Sequence, residues 1–183
     1  MHTTRPLQPT LWRTCRSLAN RTRLQIFERL FLQPGQTVSE VATGLKPSRR
    51  AGMASAYLRT LEARGLLTVR RTGRRVTYRP SLVSGSGSAR TLVTALRLAF
   101  KREPLPIEHI FKLATAFTHP RRIAIFRALQ NEPKTLVQTQ IATGISSRAL
   151  RRHLRKLETR GFVTRRREIY AVAKRSDAFG KEL

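Results

Sequence analysis

An internal repeat constrains the fold of this chain more than any other feature of its sequence. Residues 22–30 return as residues 121–129, at an offset of 121 − 22 = 99. Residues 61–68, LEARGLLT, return as residues 157–164, LETRGFVT, at an offset of 157 − 61 = 96. Because these blocks recur in the same order, we predict two copies of one small unit.

A third block shows where the two copies differ in length. Residues 41–45 match residues 141–145, which pairs Val41 with Ile141 at an offset of 141 − 41 = 100. The offset then falls to 96, so the first copy holds 100 − 96 = 4 extra residues between Gly44 and Gly65.

Each copy is predicted to form three or four short helices followed by a β-hairpin. Apolar residues recur at helical spacing, and Thr37 followed by Glu40 has the form of a capping box opening a short helix that ends at Gly44. Residues 66–78 then alternate partly and turn near Gly73, which is typical of a hairpin. Residues 84–88, SGSGS, predict a flexible joint between the copies, followed by a helix over residues 92–100, and we place the boundary near residue 103.

The charge balance indicates a polyanionic partner. The chain has 37 Lys+Arg against 10 Asp+Glu, a net charge of +27. Binding a phosphate backbone relieves such self-repulsion and releases counterions, which favours nucleic acid. Two alternatives are a merely solvated basic surface and a membrane surface, and the chain shows neither an exposed amphipathic helix nor a lipidation signal typical of the latter.

Composition also bears on the compartment. No apolar run approaches the roughly 18 to 20 residues that span a bilayer, and one cysteine excludes an intramolecular disulfide framework. A cytoplasmic, nucleoid location is expected. The alternative is an organelle transit peptide, because arginines precede the first acidic residue, Glu28.

The helix predicted over residues 147–160 has two unlike faces. At 100° per residue, Leu150, Leu154 and Leu157 share one face. The opposite face is arginine alone: Arg148, Arg151, Arg152 and Arg155. A solvated face usually mixes both signs, whereas arginine forks fit phosphates and guanine, so this face predicts insertion into a DNA groove.

Several motifs resemble the ArsR-type winged-helix repressors. They are residues 18–24, LANRTRL, residues 40–42, EVA, residues 55–61 with Gly65, and the basic hairpin residues 70–78. The likeness covers roughly residues 11–80 and, more loosely, 107–172. It implies a mainly α fold with small β-hairpin wings, in two tandem winged helix-turn-helix domains, 1–103 and 104–183. By the same resemblance, the partner is operator DNA, read by a helix in the major groove with a wing beside it.

The chain departs from the metal-sensing members of that family. Cys15 is alone and falls on the apolar face of its helix, which favours a core residue. His2, His109, His119 and His153 are scattered without close ligand partners. We expect no metal site and no cofactor, and, because no catalytic motif is present, no enzyme activity.

The sequence therefore predicts a double-stranded-DNA-binding transcriptional regulator, in which the two units act as a covalent pseudo-dimer. The alternative is a nonspecific nucleoid protein or a binder of structured RNA with the same basic surface. Pairing of two chains, action of a small effector, and repression as against activation stay open. The residues predicted to contact DNA are Arg49, Arg50, Ser55, Tyr57, Arg59, Arg70, Arg71, Arg74, Arg75, Ser147, Arg148, Arg151, Arg152, Arg155, Arg165, Arg166 and Arg167.

The two copies are predicted to divide this work unequally. At the offset of 96, the four arginines of the second helix correspond to Gly52, Ser55, Ala56 and Arg59, so the first copy has lost three of them. Its hairpin is longer and more basic. We expect the second copy to read bases and the first to hold the backbone.

Overall fold

The computed structural model describes residues 10–45, 51–81, 88–101 and 106–181. The chain is mainly helical, with small antiparallel sheets. We call residues 10–101 the first half and residues 106–181 the second half. The predicted boundary near residue 103 and the joint residues 84–87 lie outside the described part.

The first half contains five helices and one hairpin among its described residues. They are α1 (Leu11–Leu18), α2 (Arg21–Leu32), α3 (Val38–Thr43), α4 (Ala51–Glu62), β1 (Leu67–Thr72), β2 (Arg75–Pro80) and α5 (Ser88–Lys101). This order agrees with the predicted helices followed by a hairpin.

The second half repeats that order with small additions. It contains α6 (Ile107–Ala114), a 3₁₀ helix (Thr115–Phe117), α7 (Pro120–Asn131), β3 (Lys134–Thr135), α8 (Leu136–Thr143), α9 (Ser147–Thr159), β4 (Val163–Arg166), β5 (Ile169–Val172) and α10 (Ala178–Lys181). In this half β3 pairs with β5, which pairs with β4. In the first half a single bridge between Gln36 and Tyr78 takes the place of β3.

Capping side chains define where the helices begin. The Thr37 hydroxyl accepts from the Glu40 amide while the Glu40 carboxylate accepts from the Thr37 amide, as predicted, and Thr135 with Gln138 forms the same capping box. At the start of α7, His119 Nδ1 accepts from the Arg121 amide, 3.1 Å away.

These boxes correct one pairing made from the sequence. The two capping threonines differ by 135 − 37 = 98, so the fourth residue of α3, Val41, corresponds to Thr139, and both are fully buried. Ile141, which the sequence pairs with Val41, is 78% exposed. The capping box sets which face of each helix is buried. Helix α8 is two residues longer than α3 (8 − 6 = 2), so residues that match in sequence near the ends of these helices do not occupy equivalent positions.

Two arginines at corresponding positions tie consecutive helices together. The guanidinium of Arg23, in α2, donates to the carbonyl groups of Ser17 and Arg16 at the end of α1. Arg122, in α7, donates in the same way to the carbonyl groups of Ala116 and Thr115. Burial lowers the pKa of both guanidinium groups. Two of the cations of the repeat are thus bonded to backbone carbonyls of the preceding helix.

The two halves share one contiguous apolar core. Helix α1 packs against α6 and the 3₁₀ helix, and α5 packs against α10. Helix α2 also contacts α6, where the Arg21 guanidinium holds both carboxylate oxygens of Glu108 and lies 4.3 Å from the centroid of the Phe111 ring. The halves are therefore packed against one another.

Candidate nucleic-acid interface

Helix α9 is held by one face and leaves the other free. Gly144, with φ of +63°, ends α8, and Ser146 occupies the position before α9, although its side chain makes no capping bond there. Leu150, Leu154 and Leu157 are fully buried. The opposite face places the predicted side chains in solvent: Arg148, Arg151, Arg152 and Arg155, with Ser147 half-buried beside them.

The four arginines form one surface. With Ser146 and Ala149 they line a shallow depression along α9. Within the described part of the chain, no ion pair involves any of the four. Their guanidinium groups therefore remain available to an external anion, and their mutual repulsion falls when one binds.

A pair of imidazoles lies at the flank of α9. His153 is 3% exposed, and its ring centroid is 4.8 Å from that of His119. Burial first, and then the positive charges of His119, Arg122, Arg152 and Arg121, lower the pKa of His153 to about 4. His153 is therefore a neutral packing group near pH 7, which agrees with a structural role for it.

In the second hairpin, β4–β5, one of the three arginines is bonded to groups of the hairpin itself. Arg165 donates to the carbonyl of Arg167 and to the carboxylate of Glu168, and lies 5.5 Å from the centroid of the Tyr170 ring. Arg166 is exposed, and Arg167 is exposed in the turn with φ of +54°. Each strand has four residues, so this hairpin is short, as predicted.

In the first half, α4 takes the place of α9. Ala54, Leu58 and Leu61 form its buried face. Of the predicted contact residues, Arg59 is exposed and Ser55 is half-buried. Tyr57 is half-buried against the core, with the Arg23 guanidinium 5.6 Å from the centroid of its ring, so it lies on the flank of the helix rather than on the open face. Arg49 and Arg50 lie outside the described residues.

The first hairpin, β1–β2, is longer and carries five exposed arginines, the four predicted from the sequence and Arg79, which was not predicted. Its strands have six residues each, and the register pairs Arg70 with Thr77, Arg71 with Val76 and Thr72 with Arg75. Side chains alternate along a strand, so Arg70 and Arg75 lie on one face and Arg71 on the other. Arg74 lies in the turn, and an Arg75 nitrogen lies 3.3 Å from a Glu40 carboxylate oxygen.

Arg121 is a candidate contact that the sequence analysis missed. It is exposed in the first turn of α7 and, with Pro120, lines a depression that reaches Gly144 and Ser146, in the turn before α9. The sequence did carry a signal for it, because proline in a first helical turn marks a helix start, where backbone amides attract phosphate.

The predicted absence of a metal site concerns Cys15 and the histidines. Cys15 is fully buried, and burial raises the pKa of its thiol to about 12, as suits a core residue. In the described ranges, no group of three or more His, Cys, Asp or Glu is placed to hold a metal ion. None of the helices described is both long and apolar enough to cross a bilayer.

Part of the chain matches a known protein family. The pattern of a helix-turn-helix domain family matches residues 117–166. That range runs from the last residue of the 3₁₀ helix to the last residue of β4 and includes α7, α8 and the arginine face of α9. No curated protein matches the chain. The four-arginine face thus lies within the part of the chain that is similar to a helix-turn-helix domain.

Proposed function

We propose that this chain is a transcriptional regulator that binds specific double-stranded DNA sequences, with α9 as the helix that enters the major groove. The observation that carries this proposal is the face of α9 formed by Arg148, Arg151, Arg152 and Arg155, which is free of carboxylates and anchored by buried leucines. An α-helix fits the major groove, and an arginine fork binds O6 and N7 of guanine.

The fold proposed is two tandem winged helix-turn-helix domains of the ArsR type. The repeated order of helices and hairpin, the paired capping boxes, and the equivalent bonds of Arg23 and Arg122 support it. The two hairpins are then the wings.

The contacts between the halves support a covalent pseudo-dimer. At the offset of 99, α1 corresponds to the end of α6 and the 3₁₀ helix, and α1 packs against those elements. Helices α5 and α10 each follow a hairpin, and they also pack against each other. Two-fold dimers use such isologous contacts, in which an element meets its own counterpart. Each half then covers one half-site of an operator, and a repressor acts by occupying it.

The position of Tyr57 weighs against recognition of RNA loops. Single-stranded RNA is usually read by bases stacked on aromatic side chains, and Tyr57, the aromatic residue of α4, is half-buried beneath Arg23. Arginine on one helix face suits duplex DNA better.

Selection of bound sequences from a random duplex pool, with a random RNA pool alongside, tests the function. We expect an enriched duplex motif whose affinity falls with salt less steeply than that of random DNA. An enriched RNA motif, or equal salt dependence for selected and random duplexes, would mean that the chain is not a sequence-specific DNA regulator.

Light scattering tests the pseudo-dimer. The free chain is expected to have the mass of one protomer, and its complex with the selected duplex to contain one chain. Two chains on one duplex site would show that the halves do not act as the two members of a dimer.

A further inference from the structure

A second cluster of arginines lies away from the open face of α4. It surrounds a depression between α1 and the C-terminal part of α4, and its cations are Arg13, Arg16, Arg23 and Arg64. Trp12 forms part of the wall. The described residues that line this depression include no carboxylate.

The cluster contains a guanidinium group whose hydrogen-bonding capacity is not satisfied. Nη1 of Arg64 is buried and has no hydrogen-bond partner within the described part of the chain. Other arginines have acidic partners: Arg21 meets Glu108, and Arg175 meets Asp177. A buried cationic donor without a partner is costly, and an anion that accepts from it removes that cost.

The polar groups of the depression favour an acceptor ligand over a donor. The Ser17 hydroxyl already donates to the Arg13 carbonyl, and the Thr60 hydroxyl donates to the Ala56 carbonyl. Arg23 is held in place by two backbone carbonyls. What remains is a set of guanidinium N–H groups, which match the oxygens of a phosphate group in geometry and charge.

The second half differs in the arginine that covers the ring equivalent to Trp12. At the offset of 99, Trp12 corresponds to Phe111, whose ring is covered by Arg21, itself held by Glu108. Arg21 in turn corresponds to Pro120, so no equivalent arginine from the second half can cover Trp12. The Trp12 ring is instead covered by Arg13 of the same helix, whose guanidinium carbon lies 5.0 Å from the ring centroid and which has no ion-pair partner among the described residues.

We propose that this depression is a phosphate-binding site, in which Arg13, Arg16 and Arg64 hold the phosphate group and Trp12 forms one wall. Phosphate of two origins shares this chemistry: the phosphate of a small phosphorylated molecule, which would make the site an effector site, and a phosphate of the DNA backbone. The site does not depend on the proposed function, because phosphate binding is measurable without DNA.

Trp12 is the single tryptophan of the chain, so all tryptophan emission comes from a residue that lines this depression. The full chain is titrated with inorganic phosphate and with pyrophosphate at constant ionic strength set by chloride. We expect a saturable change in Trp12 emission. Arg16→Ala and Arg64→Ala should each weaken the apparent affinity by about tenfold or more.

Arg97→Ala is the matched control, because Arg97 is exposed on α5, outside the depression. It should bind phosphate like the unaltered chain. Arg16 is exposed and its side chain makes no bond in the described structure, so Arg16→Ala keeps the test valid even where Arg64→Ala unfolds. The absence of a saturable change, or equal affinity in Arg16→Ala and Arg97→Ala, would overturn the proposal.

A titration with duplex DNA distinguishes the two possible sources of the phosphate. If the phosphate belongs to the DNA backbone, duplex DNA changes Trp12 emission, and inorganic phosphate competes with that change. If it belongs to a small molecule, phosphate still binds when the duplex is present, with the same dependence on Arg16. Either result supports a phosphate site, and failure of both arms contradicts it regardless of whether the chain reads a DNA sequence.

Discussion

His153 couples a titrating group to the packing of α9. Its ring is buried against His119 and faces Arg121, Arg122 and Arg152, so a proton on it meets several like charges. The pKa falls from 6.5 to about 4 on folding, and the unfolded chain therefore binds more protons between these values. This difference stabilises the folded chain fully above pH 6.5, and the stabilisation is lost as the pH falls towards 4.

We predict that the free energy of unfolding falls by on the order of 1 kcal/mol between about pH 7 and pH 5 because of this imidazole. His153→Phe keeps a ring against His119 and removes the titration, so its stability should change less over that range. Urea unfolding at several pH values measures the difference, with His109→Gln as a control for an imidazole outside the pair. Equal pH dependence in His153→Phe and the unaltered chain would contradict the prediction.

The turns of the two hairpins differ in how well their residues suit the backbone. Gly73 and Arg167 follow the first strand of their hairpins and have φ of +56° and +54°. Glycine adopts this region without strain, whereas a residue with a Cβ does so at a cost of about 1 to 2 kcal/mol. A Cβ at Gly73 would meet no atom within 4 Å, so backbone conformation alone decides the effect of a substitution there.

Reciprocal substitutions test this. Gly73→Ala is expected to lower the free energy of unfolding by about 1 kcal/mol, and Arg167→Gly to raise it by a similar or smaller amount, since glycine also adds entropy to the unfolded chain. Chemical denaturation measures both. A loss of stability in Arg167→Gly would show that its side chain contributes more than the turn conformation costs.

At the scale of elements, α9 and the first hairpin should differ in what they contribute to DNA binding. Replacing Arg151 and Arg152 together by alanine is expected to reduce discrimination between operator and scrambled duplex by about 1 to 3 kcal/mol for each lost base contact. Replacing Arg74 and Arg75 together should weaken both duplexes alike and flatten the salt slope by up to about two units.

Single variants refine this comparison. Because Glu40 already lies against Arg75, Arg74→Ala should flatten the slope more than Arg75→Ala does. Titrations of all variants with operator and scrambled duplex at several salt concentrations provide the measurement. Equal loss of discrimination in the two double variants would show that the helix and the hairpin do not differ in function.

The elements were predictable where local chemistry determines them. The capping box at Thr37, the glycine ends of α3 and α8, and the leucine face of α9 are encoded by residues close in sequence. The two-residue strand β3 was not predicted, because it exists only through pairing with β5. Matching similar residues along the sequence also paired Ile141 wrongly with Val41, since an insertion of two residues in α8 moves a side chain to another face of the helix.

The site was predictable to a similar extent. Periodicity identified the exposed arginines of α9, whereas the position of Tyr57 depends on Arg23, which lies far from it in sequence. The sequence likewise gave no sign that Arg165 is bound to Glu168 and thus less available than Arg166. The Tyr57 contact arises from the tertiary structure and the Arg165–Glu168 pair from the local geometry of the hairpin turn, and helical periodicity describes neither.

For the whole molecule, the shared core predicts that both halves unfold together. Leu154 is fully buried in the second half, and Leu154→Ala should lower the free energy of unfolding by about 2 to 5 kcal/mol. Trp12 lies in the first half, so its fluorescence should report the same shift in midpoint as far-UV circular dichroism. A Trp12 transition that Leu154→Ala leaves in place would mean that the halves are independent folding units.

The packing of α1 on α6 and the 3₁₀ helix, and of α5 on α10, joins the two halves within one polypeptide. A regulator assembled from separate subunits is diluted into inactive monomers at low expression, and its occupancy of DNA rises with the square of its concentration. Under the proposed function, this chain is a fused pair without such a threshold, and its occupancy of DNA is expected to follow its concentration linearly at low expression. Fusion would also allow each half to diverge alone, and so to recognise an operator whose two sides differ in sequence.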